Sequence, residues 1–337
     1  MDISKGASRM DADPLVQARL RQAGFGRVLY HTWHRPRATL ARCIAEGGPL
    51  EQWRTARGRH AMENAARALP PVSNEAVERP FKLHLLTGRR FWYQSAFCLW
   101  TFARHAGRAL VPVIYDDGSL TGEFHAQLAR LFPAARFVSQ AEAMARLETH
   151  LPTSRFPFLR ERWVRYPNIR KLTDPHLGSA GWRLVVDSDL LFFRTPHLLT
   201  KWLDQPAAPL HAIDSVTSYG YSQSLLETLA GAPVGERVNV GLCGLRSDRL
   251  DWEQLEYWCR TLIEREGTHY YLEQALVAML VAGRRCTVAP AEDYVTLPRP
   301  PESHDCGAVM HHYVAESKRI YFRENWRRCL TQPRRDA

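Results

Sequence analysis

Cysteine is sparse in this chain and never patterned. Cys43, Cys98, Cys243, Cys259, Cys286, Cys306 and Cys329 are scattered, odd in number and never spaced C-x-x-C. That argues against a disulfide framework and against a structural zinc site, and it fits a reducing compartment. Long apolar runs are also missing. The longest, around residues 275–283, is far too short to cross a bilayer. The opening stretch MDISKGASRMDADP is polar and lacks the apolar centre of a signal peptide. The expectation is a soluble, cytoplasmic protein. Zinc-finger spacing and RNP-like aromatic motifs are absent too, so no nucleic-acid partner is expected.

What is present points to an enzyme-sized α/β protein. The 337 residues, 45% hydrophobic and 24% charged, are enough to bury a full core. The net charge is +10, with arginines thickening at Arg327, Arg328, Arg334 and Arg335. Such a balance suits phosphorylated small molecules, peripheral contact with an anionic membrane at its inner face, or simply a solvated basic surface.

Residues 1–80 read as a helical extension and linker. LVQARLRQAG and residues 50–69 have helical character, and PPVSNEAVERP (70–80) has the proline-flanked polar make-up of a linker. Residues 81–325 read as the catalytic domain, and 326–337 as a basic tail. Within the domain, strands are expected at 82–88, 110–118, 135–139, 183–187, 211–216 and 238–245, with short ones near 285–289 and 308–313. Helices are expected at 91–106 and 122–132. Another should follow the S-x-x-E capping box of Ser139 and Glu142, one should be capped by Asp251 and ended by Gly267, and one should cover 270–282. Strands alternating with helices predict an α/β fold with a largely parallel sheet flanked by helices. Ligands of such sheets gather at the carboxyl ends of strands, where Asp116 and Asp187 fall.

The segment RLVVDSDLLFF (183–193) carries the chemistry. Asp187 and Asp189 interrupt an apolar run, where an unpaired carboxylate is costly. At a strand end, residues two apart project to one side, so the pair can share a hard divalent cation, Mn2+ or Mg2+, together with substrate phosphates. A bare D-x-D also occurs in solvated turns; the apolar flanks on both sides favour the metal site.

VVDSDLLFFRTP resembles the DXD segment of nucleotide-sugar glycosyltransferases of the GT-A fold. Further pieces, in chain order, resemble the retaining family 8 enzymes, the glycogenin-like and lipopolysaccharide-galactosyltransferase-like group. They are Arg170-Lys171-Leu172, Asn239-Val240-Gly241, Glu273-Gln274, and His312 followed by Lys318. Ala315 stands where that last motif has glycine, Glu273 where the family has Asp, and the first strand ends in Thr87-Gly88 instead of an acidic nucleotide contact. The resemblance covers about 82–322. It implies a hexosyltransferase-type enzyme with a metal held by Asp187, Asp189 and His312. Donor contacts would come from Thr87, Asp116, Arg170 or Lys171, Asp187, Asn239 and Lys318. Gln274 would lie beside the anomeric carbon in a retaining reaction; Glu273 acting as a base would instead give inversion. The donor implied is a nucleotide-diphosphate sugar, a UDP-sugar by default. The acceptor, whether a glycan, a lipid-linked sugar or a protein, is left open.

Two other classes compete. A haloacid-dehalogenase-like phosphatase also has D-x-D after an apolar strand, with Asp187 as nucleophile, but there the motif follows the first strand. A basic, non-enzymatic nucleic-acid or membrane-binding module accounts for the charge but not for the acids among apolar residues.

Overall fold

The computed structural model describes residues 48–72 and 80–331. LVQARLRQAG, most of the 70–80 linker and residues 332–337 lie outside them. The chain divides into two compact units, Met1–Arg57 and Gly58–Ala337. Met62 and Ala66 of helix α1 (Pro49–Ala68) are buried.

From residue 81 the chain alternates as expected. Strand β1 (Phe81–Thr87) leads to α2 (Trp92–Ala106), β2 (Leu110–Asp116) to α3 (Gly122–Leu131), and β3 (Arg136–Val138) to α4 (Gln140–His150). Helices α5 (Pro157–Arg165) and α6 (Ile169–Thr173) precede β4 (Trp182–Val186) and β5 (Leu190–Phe192). Then come α7 (His197–Asp204), β6 (Leu210–Ile213), α8 (Gln223–Ala230), β7 (Val238–Arg246), α9 (Trp252–Glu266) and α10 (Leu272–Leu280), followed by β8 (Thr287–Val288), β9 (Tyr294–Thr296) and β10 (Met310–His312).

Seven strands form the main sheet in the order β3-β2-β1-β4-β7-β6-β8. Every neighbouring pair is parallel except the two made by β7. The strands divide their apolar residues between two cores. Leu83, Leu85, Ile114, Leu184 and Leu242 join the core that contains α2 and Trp202 of α7. Val113, Tyr115, Val240, Cys243 and Leu245 join the other, with α8, α9 and α10. This two-faced burial is what a parallel sheet covered by helices requires.

Local signals hold at the helix ends. The Asp251 carboxylate accepts from the Gln254 N–H at 3.1 Å, and α9 stops at Gly267, whose φ is +86°. The expected Ser139 capping box forms by half. Ser139 Oγ accepts from the Glu142 N–H at 3.1 Å, while the Glu142 carboxylate turns to Arg136 and Arg146.

A second, three-stranded sheet, in the order β5-β10-β9, was not expected. β10 runs antiparallel to β5, with His312 opposite Leu190, and parallel to β9. LLFF reads in sequence as an apolar flank; its first three residues, Leu190–Phe192, are in fact a strand, too short to show periodicity. Asp187 and Asp189 therefore sit in the tight turn between β4 and β5, and not on a strand. At the chain's other end, Trp326–Thr331 is helical, and Trp326 meets Phe97 edge-on at 5.5 Å.

β5 is clamped by aromatic packing. Phe192 is fully buried and meets Phe102 of α2 edge-to-face at 5.2 Å. Phe192→Ala should therefore destabilise the protein by about 3–5 kcal/mol. Urea unfolding of the variant measures this, and a loss below about 1 kcal/mol would mean that β5 is not held by its core contacts.

Candidate active site

One cleft of about 490 Å3 opens at the carboxyl ends of β4 and β6. Eight of the expected site residues line it: Lys171, Asp187, Asp189, Asn239, Glu273, Gln274, His312 and Lys318. Tyr166, Tyr270 and Tyr271 also line it.

The acid pair has its partners here. Lys171 Nζ donates to Asp187 Oδ1 at 2.8 Å, and Lys318 Nζ donates to Asp189 Oδ2 at 2.5 Å. Each carboxylate turns its other oxygen to one imidazole nitrogen. His312 Nε2 lies 3.6 Å from Asp187 Oδ2 and 3.3 Å from Asp189 Oδ1. Burial by itself would raise the Asp189 carboxyl, but the positive charge of Lys318 and the imidazole of His312 hold it well below the usual carboxylate range. Two carboxylate oxygens and one ring nitrogen lie within 4.8 Å of one another. This donor set fits a divalent cation, and manganese accepts the mixture of oxygen and imidazole more readily than magnesium does.

Lys171 also reaches Glu273 Oε2 at 3.4 Å. Burial works against its charge, yet Asp187 and Glu273 outweigh this and lift it above the ordinary lysine value. Glu273 is 4% exposed. Burial pushes its carboxyl up to about 7 against the pull of Lys171, and the charge of Asp187 adds to the rise.

Asn239 and Gly241 come from β7. The Gly241 N–H donates to Asn239 Oδ1 at 2.9 Å, and His312 Nδ1 lies 3.2 Å from the same oxygen. A Cβ on Gly241 would stand 2.4 Å from His312 Cε1, so the N-x-G pattern has a steric cause: only glycine lets the ring come this close. Asp214 was missed in the sequence reading. It lines the cleft, and its Oδ2 accepts from both Asn239 Nδ2 at 3.1 Å and Gln274 Nε2 at 3.0 Å. The segment 211–216 reads as one strand, which hides Asp214 in its middle. β6 ends at Ile213, so Asp214 stands at a carboxyl end, where the general rule for such sheets would have marked it.

Thr87, Asp116 and Arg170 do not line the cleft. Thr87 is buried and accepts from Ser95 Oγ at 2.7 Å. Asp116 Oδ1 accepts from the N–H groups of Gly118 and Leu120 at 2.8 and 3.0 Å, closing a turn. Arg170 donates to Asp174 at 2.9 Å and to the Asp116 carbonyl at 2.7 Å, with its guanidinium over the Trp163 ring. Of the two adjacent cations left open by the sequence, Lys171 faces the cleft, and Arg170 anchors the helix that carries it.

No family model matches this sequence, nor does any curated protein. Among solved structures the chain is similar to mouse xyloside xylosyltransferase 1 in its apo form, at a TM-score of 0.48 and 12% identity over 69% of this chain and 97% of that one. It is similar to the galactosyltransferase LgtC in complex with donor and acceptor sugar analogues, at 0.45 and 14% over 69% and 87%. The apo WbbM bifunctional glycosyltransferase matches at 0.45 and 11%, over 75% of this chain and 51% of that one.

Glu273 gives a stability signature. A carboxyl raised on folding stabilises the native state fully below its unfolded value, near 4.3, and this contribution is lost as pH rises through about 7. Wild type should therefore lose stability relative to Glu273→Gln between pH 5 and pH 8. Melting temperatures of both proteins across that range test it, and a difference that stays flat would contradict the buried, raised carboxyl.

Proposed function

We propose that this protein is a metal-dependent glycosyltransferase that moves a sugar from a nucleotide-diphosphate sugar, a UDP-sugar, to an acceptor with retention at the anomeric carbon. The observation that carries the reading is the convergence of Asp187, Asp189 and His312 beside Lys318 and Gln274 in one cleft. A divalent cation bound by the first three would offset the charge that grows on the diphosphate as the glycosidic bond breaks.

The chain's own groups then divide the work. Lys318, 28% exposed at its side chain and already at the acid pair, can give its ammonium to a diphosphate oxygen. Lys171, 2.8 Å from Asp187 and 3.4 Å from Glu273, offsets part of their negative charge, which lessens the repulsion of an anionic donor by the acid-rich floor of the cleft. Retention is supported by what the sugar end lacks. Gln274 has no proton to take or give near neutral pH, and Glu273, which lines the cleft, is 4% exposed and has its carboxylate 3.4 Å from Lys171 Nζ. Donor contacts from Thr87, Asp116 and Arg170 would be indirect, through the loops and the helix they hold.

The phosphatase alternative fits less well. It puts the acid pair after the first strand, whereas here it follows the fourth, and Asp187, its nucleophile, is tied to Lys171. No helix among the described residues is long and apolar enough to cross a membrane.

Asp189→Ala should lower transfer by on the order of 10³-fold, since metal assistance contributes several kcal/mol to the transition state. Turnover is read as release of nucleoside diphosphate, and retained turnover would rule out metal catalysis through this pair. Manganese and UDP together should raise the melting temperature by about 5 °C at saturating concentration, more than either alone. No shift with any nucleoside diphosphate would count against the donor assignment.

A further inference from the structure

A second cleft, of about 470 Å3, lies beyond Lys318, which lines both clefts. Apart from that lysine, the proposed reaction uses none of it. Its walls come from α1, from the residues between β1 and α2, and from the segment around Phe322. α1 lies outside the stretch that the resemblance covers. Gly58 lets it come this close, since a Cβ there would stand 2.5 Å from the Phe322 carbonyl oxygen. The next residue, Arg59, then holds its guanidinium carbon 4.7 Å from the centroid of the Phe322 ring. After β1, the Arg89 N–H donates to Ser119 Oγ at 2.9 Å, and the Arg90 guanidinium lies over the Phe91 ring at 5.8 Å.

The charges here do not balance. In the first cleft each lysine has a carboxylate partner. In the second, Arg59, Arg89 and Arg90 are exposed, and none of them is in an ion pair among the described residues. The one acid of the lining, Glu63, already accepts from Trp92 Nε1 at 3.2 Å and lies 3.9 Å from Arg67. A concave site with three unpaired cations concentrates positive potential and draws an anion. The planar fork of a guanidinium matches phosphate oxygens. The rest of the lining is largely aromatic, and Phe91 leaves 41% of its surface open. A flat apolar face beside unpaired arginines suits a ligand that joins a ring to a phosphate. The volume lies in the range of pockets that hold small organic molecules.

We infer that the second cleft binds a nucleoside phosphate, with Arg59, Arg89 and Arg90 on the phosphate and Phe91 against the base. Two sources supply that chemistry. One is the donor itself: a diphosphate resting on Lys318 with its sugar toward Gln274 would send its nucleoside to this side. The other is a separate nucleotide bound independently of the donor. The site stands on its own residues and does not need the metal-dependent reading.

The experiment is calorimetric titration of the full chain without metal, using UMP and GMP, with uridine and inorganic phosphate as the two halves of the ligand. At least one of the two nucleotides should bind wild type, and uridine and phosphate should each bind at least about 10-fold more weakly. Arg59→Gln and Arg90→Gln should each weaken the nucleotide about 10-fold, as the loss of a charge-assisted hydrogen bond does. Phe91→Ala should weaken it about 5-fold or more through lost stacking. All three positions are exposed, so the variants should melt as wild type does. Neither nucleotide binding wild type, or wild-type affinity in both arginine variants, overturns the inference. Titration of UDP with Mn2+ separates the sources. One UDP per chain, weakened in Arg59→Gln, makes the cleft the nucleoside end of the donor site. Two per chain, with only the metal-independent one weakened, makes it a separate nucleotide site. If UMP or GMP binds as stated but Mn2+ adds nothing to UDP, the second cleft stands and the metal-dependent reading falls.

Discussion

The antiparallel pairing of β10 with β5 is the constraint on which the site depends. It sets His312 opposite Leu190, next to Asp189, although the two segments are far apart in the chain. The Tyr313 N–H donates to the Asp189 carbonyl at 3.0 Å, which extends the pairing into the turn itself. The main sheet supplies the other side, because the Asp187 N–H donates to the Gly241 carbonyl at 2.9 Å. The acid turn is thus sewn to one sheet at each end, and His312 and Gly241 arrive with those sheets. A turn held this way cannot drift by an ångström, which is the tolerance that a shared ligand set demands.

Electrostatics explains why the chain tolerates acids here. Each aspartate gives one oxygen to its own lysine, and the oxygens left over meet at the His312 nitrogen. Burying either acid alone would be strongly destabilising, and the lysines remove most of that penalty. Lys171 serves two acids at once, so its neighbour Arg170 does the mechanical work. Buried between Asp174 and Trp163, Arg170 ties the short helix α6 to the end of β2.

Much of the α/β alternation was legible in the sequence, because β1, β2, β4 and β7 are apolar runs bounded by turn residues, and α3 and α9 carry clear helical periodicity. The small sheet was not. β10 falls in the strand expected near 308–313, but β5 and β9 are three residues each and the pairing is long-range, so nothing local announces the sheet. In the site, the acid pair was legible from its placement between apolar runs. His312 and Lys318 were visible only through resemblance, since a lone histidine or lysine carries no pattern. Asp214 was hidden by a strand end misplaced by a few residues. Thr87 and Asp116 stand at or near the expected strand ends and Arg170 in the short helix α6, but hydrogen bonds to their own neighbours draw them behind the cleft wall; only tertiary contacts decide that.

The central claim is that Asp187, Asp189 and His312 hold one cation between them. Crystals grown with Mn2+ and UDP and measured at the manganese absorption edge test it most directly. The account predicts one anomalous peak bonded to Asp187 Oδ2, Asp189 Oδ1 and His312 Nε2 at about 2.0–2.3 Å. A nucleotide bound with manganese elsewhere, or with none at these three atoms, would contradict it.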